Sequence, residues 1–175
     1  KNKYRCYMNN KNLKLIFYLY IFINFPHNNL MAIETPKYRL LKKDKKIQIR
    51  DYESAIVAKT YIADNFKEAS STGFRRIANF IFGGNSKGQN ISMTAPVVVT
   101  EDYNTNNHEV FFFMPREYEI KTLPKPLLQS VVIEDRSLGK VASISFGGWA
   151  TEKNIHYNKE LLKKYLKKNS YEILD

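Results

Sequence analysis

One cysteine, three histidines, seven glycines and six prolines among 175 residues remove several classes of protein at once. A single thiol closes no internal bridge, so the chain is not a disulfide-stapled miniature. Three scattered histidines leave little from which to build a metal cluster. Glycine and proline are too scarce for a collagen-like or low-complexity chain, and 43% hydrophobic residues is too many for a disordered one. What is left is one globular domain, long enough to bury roughly 70% of its unfolded surface without a staple.

Acidic residues are missing from one region. Residues 1–30 hold Lys1, Lys3, Arg5, Lys11 and Lys14 and no carboxylate, which places +5 of the net +11 there. The other +6 belongs to residues 31–175 and gathers in Lys42-Lys43-Asp44-Lys45-Lys46 and in Lys163-Lys164 with Lys167-Lys168. Such runs are most often solvated faces, and nucleic-acid contact is the less favoured reading.

The apolar run Leu15–Phe25 is too short to span a bilayer, which takes about twenty residues. Basic residues before it and polar residues after it make a signal-peptide pattern, with Met8 a candidate start and cleavage expected near Ala32. A non-native or upstream-translated leader is the alternative. Cys6 precedes the run and so is not placed as a lipoprotein cysteine would be. Residues 1–32 are therefore read as a leader or anchor and 33–175 as the domain. Export, to a periplasm, is expected, with a membrane-anchored or cytoplasmic protein as alternatives.

Within the domain, Ile47–Tyr52 alternates as a half-buried strand, and Ala55–Ile62 is a second β-rich run. Asp64 or Asn65 can cap a helix over Phe66–Phe82, whose apolar positions Phe66, Ala69, Gly73, Ile77 and Phe80 follow a spacing of three and four. Gly83-Gly84-Asn85 ends it. Further strands are expected at Ile91–Thr94, Val97–Thr100, Val110–Met114, Val131–Asp135 and Lys140–Phe146, with a polar loop over Glu101–His108. Thr122–Pro126 is expected to be extended. A second helix is expected from about Thr151 to Lys168, and Tyr171–Leu174 as the opening of a strand. Paired strands precede a helix twice, which suggests a loose structural duplication. The class is antiparallel α+β, since βαβ units are too few for a doubly wound sheet.

No hydrolase constellation is visible. Ser92 and Ser143 lack a nucleophile-elbow frame, Gly83, Gly84 and Gly88 are not followed by the Lys-Ser/Thr of a phosphate loop, and the acid pairs Asp51/Glu53 and Glu134/Asp135 read as strand-end surface charges. The first helix is more informative. Arg75 and Arg76 sit amid Phe74, Ile77, Phe80 and Phe82, so guanidinium forks that match carboxylates adjoin surface that matches a flat apolar ring. Core packing on one face with solvated arginines on the other accounts for the same residues, and sequence physics leaves both open.

Taken in order, Glu34-Thr-Pro-Lys-Tyr38, Ile49-Arg-Asp-Tyr52, Phe74-Arg-Arg-Ile77, Phe80-Ile-Phe-Gly-Gly-Asn85, Ile91-Ser-Met-Thr-Ala-Pro-Val97, Phe113-Met-Pro115, Leu123-Pro-Lys-Pro126 and Phe146-Gly-Gly-Trp-Ala150 resemble the SOUL, or haem-binding protein, family. The resemblance covers 33–175, and its bacterial members begin much as Ala32–Tyr38 does, after a signal peptide. It implies a distorted antiparallel barrel or sheet pair flanked by two helices, akin to effector-binding domains of the gyrase-inhibitor type. It also implies reversible, non-enzymatic binding of haem or a related tetrapyrrole on an apolar patch at the first helix. The family's basic positions fall at Thr72 and Phe80, and Arg75 and Arg76 stand nearby as substitutes. The implied contact set is Thr72, Phe74, Arg75, Arg76, Ile77, Ala78, Asn79 and Phe80, with the ring stacked on Phe74, Ile77, Ala78 and Phe80.

The expected partner is thus a tetrapyrrole or another flat, apolar, acidic small molecule. No metal held by the protein and no nucleic acid are expected, and membrane contact only through residues 1–32. Family members continue past Ser170–Asp175 into further strands, so an incomplete chain, an open sheet edge and marginal stability are expected. Two other functions compete. One is a hydrolase or effector-binding domain of the same fold, using Glu109, Tyr118 or Tyr61 in a central cleft. The other is a protein-interaction module using the same helix face.

Overall fold

In the computed structural model, which describes residues 33–102 and 107–173, each half of the domain lends a strand to the other. Strands β1 (Tyr38–Asp44), β2 (Ile47–Tyr52) and β3 (Ala55–Ile62) precede helix α1 (Phe66–Ile81). Strands β4 (Val97–Asp102), β5 (Asn107–Phe113), β6 (Val132–Arg136) and β7 (Gly139–Ile144) lead to helix α2 (Glu152–Lys168). One sheet runs β1-β2-β7 and the other β4-β5-β3-β6, with every ladder antiparallel. Consecutive strands β2 and β3 lie in different sheets, as do β6 and β7; β2 pairs with β7 and β3 with β6. The units β2-β3-α1 and β6-β7-α2 therefore interlock by exchange, which gives the duplicated pattern its physical form. Neither sheet closes among the described residues, so the architecture is a sheet pair rather than a barrel.

The alternation of β5 sorts the layers. Val110 and Phe112 face α1, joined by Ala58, Ile77, Phe80 and Ile81. Phe111 and Phe113 face the other sheet, where Tyr52, Val57, Leu138 and Val141 complete a second cluster. A third forms where Leu162 and Leu166 of α2 cover Ile49, Ala142 and Ile144. The order is thus helix, sheet, sheet, helix.

Asn65 starts α1, its Oδ1 accepting from the N–H groups of Lys67 and Glu68, both at 3.1 Å. Gly83, at φ +105°, turns the chain out of the helix in a conformation few side chains adopt. Asn85 then organises the loop from inside. Its Nδ2 donates to the carbonyls of Phe80 and Gln89, and its Oδ1 accepts from the N–H groups of Lys87 and Gln89.

One strand was not expected and three expectations are corrected. β1 went unnoticed because of its charge run; every residue along it is exposed, so no apolar alternation is selected. Ile91–Thr94 is not a strand, because its polar groups are satisfied elsewhere. Ile91 N–H donates to Ile81 O, and Thr94 Oγ1 donates to Phe113 O at 2.6 Å. The expected loop Glu101–His108 is shorter, since β4 runs to Asp102 and β5 starts at Asn107. Tyr171–Ile173 is not a strand; Tyr171 N–H closes the end of α2 on Leu166 O, and Tyr171 and Ile173 pack against the α2 cluster. The expected leader lies outside the described residues.

Candidate functional site

The placement of α1 is set by Gly73. A Cβ there would stand 2.4 Å from Val110 Cγ2 and 2.6 Å from Val110 Cβ, so the helix rests on β5 at a distance only glycine allows. This close seat brings the Phe74 ring to 5.4 Å from that of Phe112. Phe112 pairs in register with Val97 of β4, and Val97 and Val99 pack only partly buried against the same core. Phe74, at 39% exposure, thus overhangs the β4 side of the sheet.

With 3.6 residues per turn, positions four apart follow one another around a narrow stripe. Phe74, Ala78 and Phe82 form such a stripe, with Phe82 61% exposed at the helix C-cap. Together with Val97 and Val99 they make an apolar surface between the outer side of α1 and β4.

The eight expected contact residues divide into five groups. Ile77 and Phe80 are wholly buried in the core beneath the helix and cannot touch a ligand on its outside, which corrects their assignment. Phe74 and Ala78 belong to the stripe. Arg76 points the other way, its Nη1 donating to Thr60 Oγ1 and Tyr61 O of β3, both at 3.2 Å, so it is not placed at the rim of the stripe. Arg75 is exposed and steadied by one bond, from Nη2 to Thr72 Oγ1 at 3.2 Å. Asn79 is exposed beside the glycine turn. Its carbonyl accepts from Gly84 N–H, and its Oδ1 fills the place of a Gly84 side chain. Sequence reasoning named Phe82 beside the arginines but kept it out of the contact set, and it missed Val97 and Val99. The spacing of four residues from Phe74 could have added Phe82; the two valines arrive through sheet register, which a linear pattern does not carry.

The cleft between the sheets tells against the competing enzyme reading. Glu109 of β5 is 8% exposed, and Arg136 of β6 grips it with both prongs, at 2.9 Å to Oε2 and 2.5 Å to Oε1. Lys59 Nζ lies 3.7 Å from Glu109 and also bonds Glu134, which in turn bonds Arg136. Arg136 stacks 4.5 Å above the Phe111 ring, and Lys59 donates to Tyr61 Oη at 3.2 Å. Burial pushes the Glu109 carboxyl up, but the bonds and charge of Arg136 outweigh it and hold the group below the usual range. Glu134 is lowered in the same way, burial being outweighed by bonds to Lys59 and Arg136. A carboxylate so occupied is a poor proton acceptor. Tyr118 lies past the far end of β5, more than ~10 Å along the strand from Glu109, and its Oη accepts from Gln89. Tyr61 pairs in register with Glu109 and joins its network, but Tyr118 stands apart, so the three candidates do not form one site.

Acid should expose this network. Because both carboxyls are depressed on folding, their stabilisation is present above their unfolded pKa near 4.5 and is lost as pH falls through the folded values. The urea midpoint should be flat from pH 7 to about pH 5 and decline steadily below about pH 4.5. A midpoint unchanged down to pH 3 would show that the ion pairs contribute nothing.

A separate cavity of about 160 Å³ lies between Glu34–Lys37, the Glu53–Ile56 turn and Phe113–Tyr118. Pockets for drug-sized ligands run to roughly 300–1,000 Å³, so a tetrapyrrole does not fit inside it. Arg116 and Glu34 bond each other across its mouth at 3.0 Å.

The outer side of α1 thus carries an apolar stripe bordered by Arg75, while Glu109 and Glu134 are ion-paired on the opposite side of the sheet. Residues 33–174 match the SOUL heme-binding protein family. The chain belongs to that family. It is similar to Heme-binding protein 1 of Xenopus laevis, at 29% identity over 136 residues, covering 71% of each chain. Heme-binding protein 1 of Mus musculus is 30% identical over 131 residues, covering 69% of this chain and 68% of the relative. Heme-binding protein 2 of Homo sapiens is 29% identical over 130 residues, or 69% and 63%.

Proposed function

We propose that this SOUL-family chain binds haem or a related tetrapyrrole, without catalysis, on the stripe Phe74–Ala78–Phe82 and the adjoining Val97 and Val99. The observation that carries it is the exposed aromatic and aliphatic surface held rigid by the Gly73–Val110 contact, with Arg75 at its border. Tetrapyrroles supply a flat apolar ring and acidic propionates. The ring matches the stripe, and Arg75 pairs a propionate as a guanidinium pairs any carboxylate. None of the stripe residues is a histidine, cysteine or methionine. His108 is no substitute: it is 4% exposed, edge-on to Phe66 beneath the start of α1, and its Nδ1 has no partner. Ring contact and propionate pairing, rather than axial ligation, therefore supply the affinity. Absence of catalysis is supported by Glu109 being consumed by Arg136. A signal peptide and export rest on the composition of residues 1–32 alone.

The test is a haemin titration followed by its Soret band. Saturable binding at micromolar protein is expected. Phe74→Ala and Arg75→Ala should each weaken it roughly tenfold, the cost of about one buried contact or charge-assisted bond. Arg76→Ala should leave it unchanged. No saturable change, or an Arg76→Ala loss equal to that of Arg75→Ala, would refute the assignment.

A further inference from the structure

The two lysine runs, more than a hundred residues apart in sequence, meet on one end of the molecule. Lys42 of β1 donates to Asn169 Oδ1 at 3.1 Å and lies 5.7 Å and 5.9 Å from the rings of Tyr165 and Tyr171. The β1–β2 hairpin is thereby docked against the C-terminal end of α2. Lys42–Lys46 carry a net +3 and Lys159–Lys168 a net +4, so the rest of residues 31–175 nets −1. Lys42, Lys43, Lys45, Lys46, Lys164, Lys167 and Lys168 are all exposed. In α2 the buried Leu162 and Leu166 hold one side, which turns Lys164, Lys167 and Lys168 outward. Lys42 pairs with Ile49 on the face that α2 covers, so the hairpin and helix lysines are brought together on that side.

Local reasons account for part of this. Lysines on an edge strand discourage pairing with other chains, which explains Lys42 and Lys43. The helix dipole favours Lys167 and Lys168 at its last turn. Neither explains Lys45, Lys46 and Lys164, nor the joining of both runs into one field. We infer that this face docks on the surface of an anionic lipid bilayer, with the lysines against the headgroups. The composition selects that partner over nucleic acid. Neither run holds an arginine, the residue suited to forked phosphate and base contacts, and lysine acts as a hydrated point charge that senses the mean potential. Among the described residues no helix is long and apolar enough to cross a membrane, so the contact is peripheral.

The test is cosedimentation of the full chain with phosphatidylcholine vesicles, with and without roughly a third phosphatidylserine. Binding is expected only to the anionic vesicles, and is expected to fade between about 50 mM and about 500 mM salt as the Debye length shortens. Changing Lys43, Lys46, Lys164 and Lys167 together to Gln should weaken it on the order of a hundredfold. The same change at Lys67, Lys121, Lys125 and Lys140, exposed lysines elsewhere, should cost less than about threefold. Equal losses from the two quadruple variants would show that net charge, not this face, is responsible, and would overturn the inference. Binding to neutral vesicles that ignores salt and the lysine variants would assign it instead to residues 15–25. Tighter, equally salt-sensitive binding to single-stranded RNA would make nucleic acid the partner. Circular dichroism confirms that each variant is folded, and the salt titration of the unaltered chain needs no variant.

Discussion

Arg136→Met is expected to destabilise the fold by about 3 kcal/mol, because it leaves the buried Glu109 carboxylate without its principal cation. Arg136 supplies both prongs to Glu109 and further bonds to Glu134. Once it is gone, Glu109 keeps the Tyr61 hydroxyl, a distant Lys59 at 3.7 Å and a long bond from Thr100 at 3.4 Å, none of which replaces the forked guanidinium. Methionine fills the space above Phe111 but pairs with nothing. The urea midpoint at pH 7 should fall with no change in slope. The acid sensitivity should also flatten, since Glu109 without its guanidinium would then rather be protonated, while Glu134 keeps Lys59. Adding Glu109→Leu should recover most of the loss, because an apolar pair of similar volume is often as stable as the ion pair it replaces. A single variant costing under about 1 kcal/mol would mean that water already reaches the network and screens it.

The same network marks a limit of sequence reading. Glu109 was legible as a candidate titratable group, but its partners sit at positions 59, 134 and 136, brought together by β3 pairing with β5 on one side and β6 on the other. Nothing local announces those pairings. The helices were legible, because Asn65, the three-and-four spacing and Gly83 are local signals for start, face and stop. Strands β2 and β3 were legible for the same kind of reason. β1 was not, because an edge strand exposed along its length shows charges instead of alternation. On α1, periodicity mixed the inner and outer sides: Ile77 and Phe80 share the apolar character of Phe74 but face β5 and β3. The side of a helix that carries function is decided by which way the sheet lies, and that is tertiary information. The charge runs were read singly as solvated faces; that Lys42 reaches Asn169 could not be read from either.

Gly73→Ala separates local preference from packing most sharply, since the two predict opposite signs. In a helix interior alanine is favoured over glycine by about 1 kcal/mol, so propensity alone predicts a more stable protein. Packing predicts a loss of about 2 kcal/mol or more, because the new methyl would lie 2.4 Å from Val110 Cγ2 in a close-packed core. Turning the valine cannot relieve it, as Val110 Cβ itself is only 2.6 Å away. α1 must lift from β5, and packing should win. Val110→Ala should return part of the stability by removing the γ carbons, but not all, since the β carbon remains. The loss should also reach the outer surface. A lifted helix draws Phe74 away from Phe112 and splays the stripe from Val97 and Val99, so haemin affinity should fall in Gly73→Ala even though residue 73 is buried and touches no ligand. Urea unfolding and the Soret titration on the same samples read both effects. A variant as stable as the parent would show that the helix seat is looser than the Val110 contact requires. Lower stability with unaltered haemin affinity would show that the tetrapyrrole does not use the α1–β4 surface.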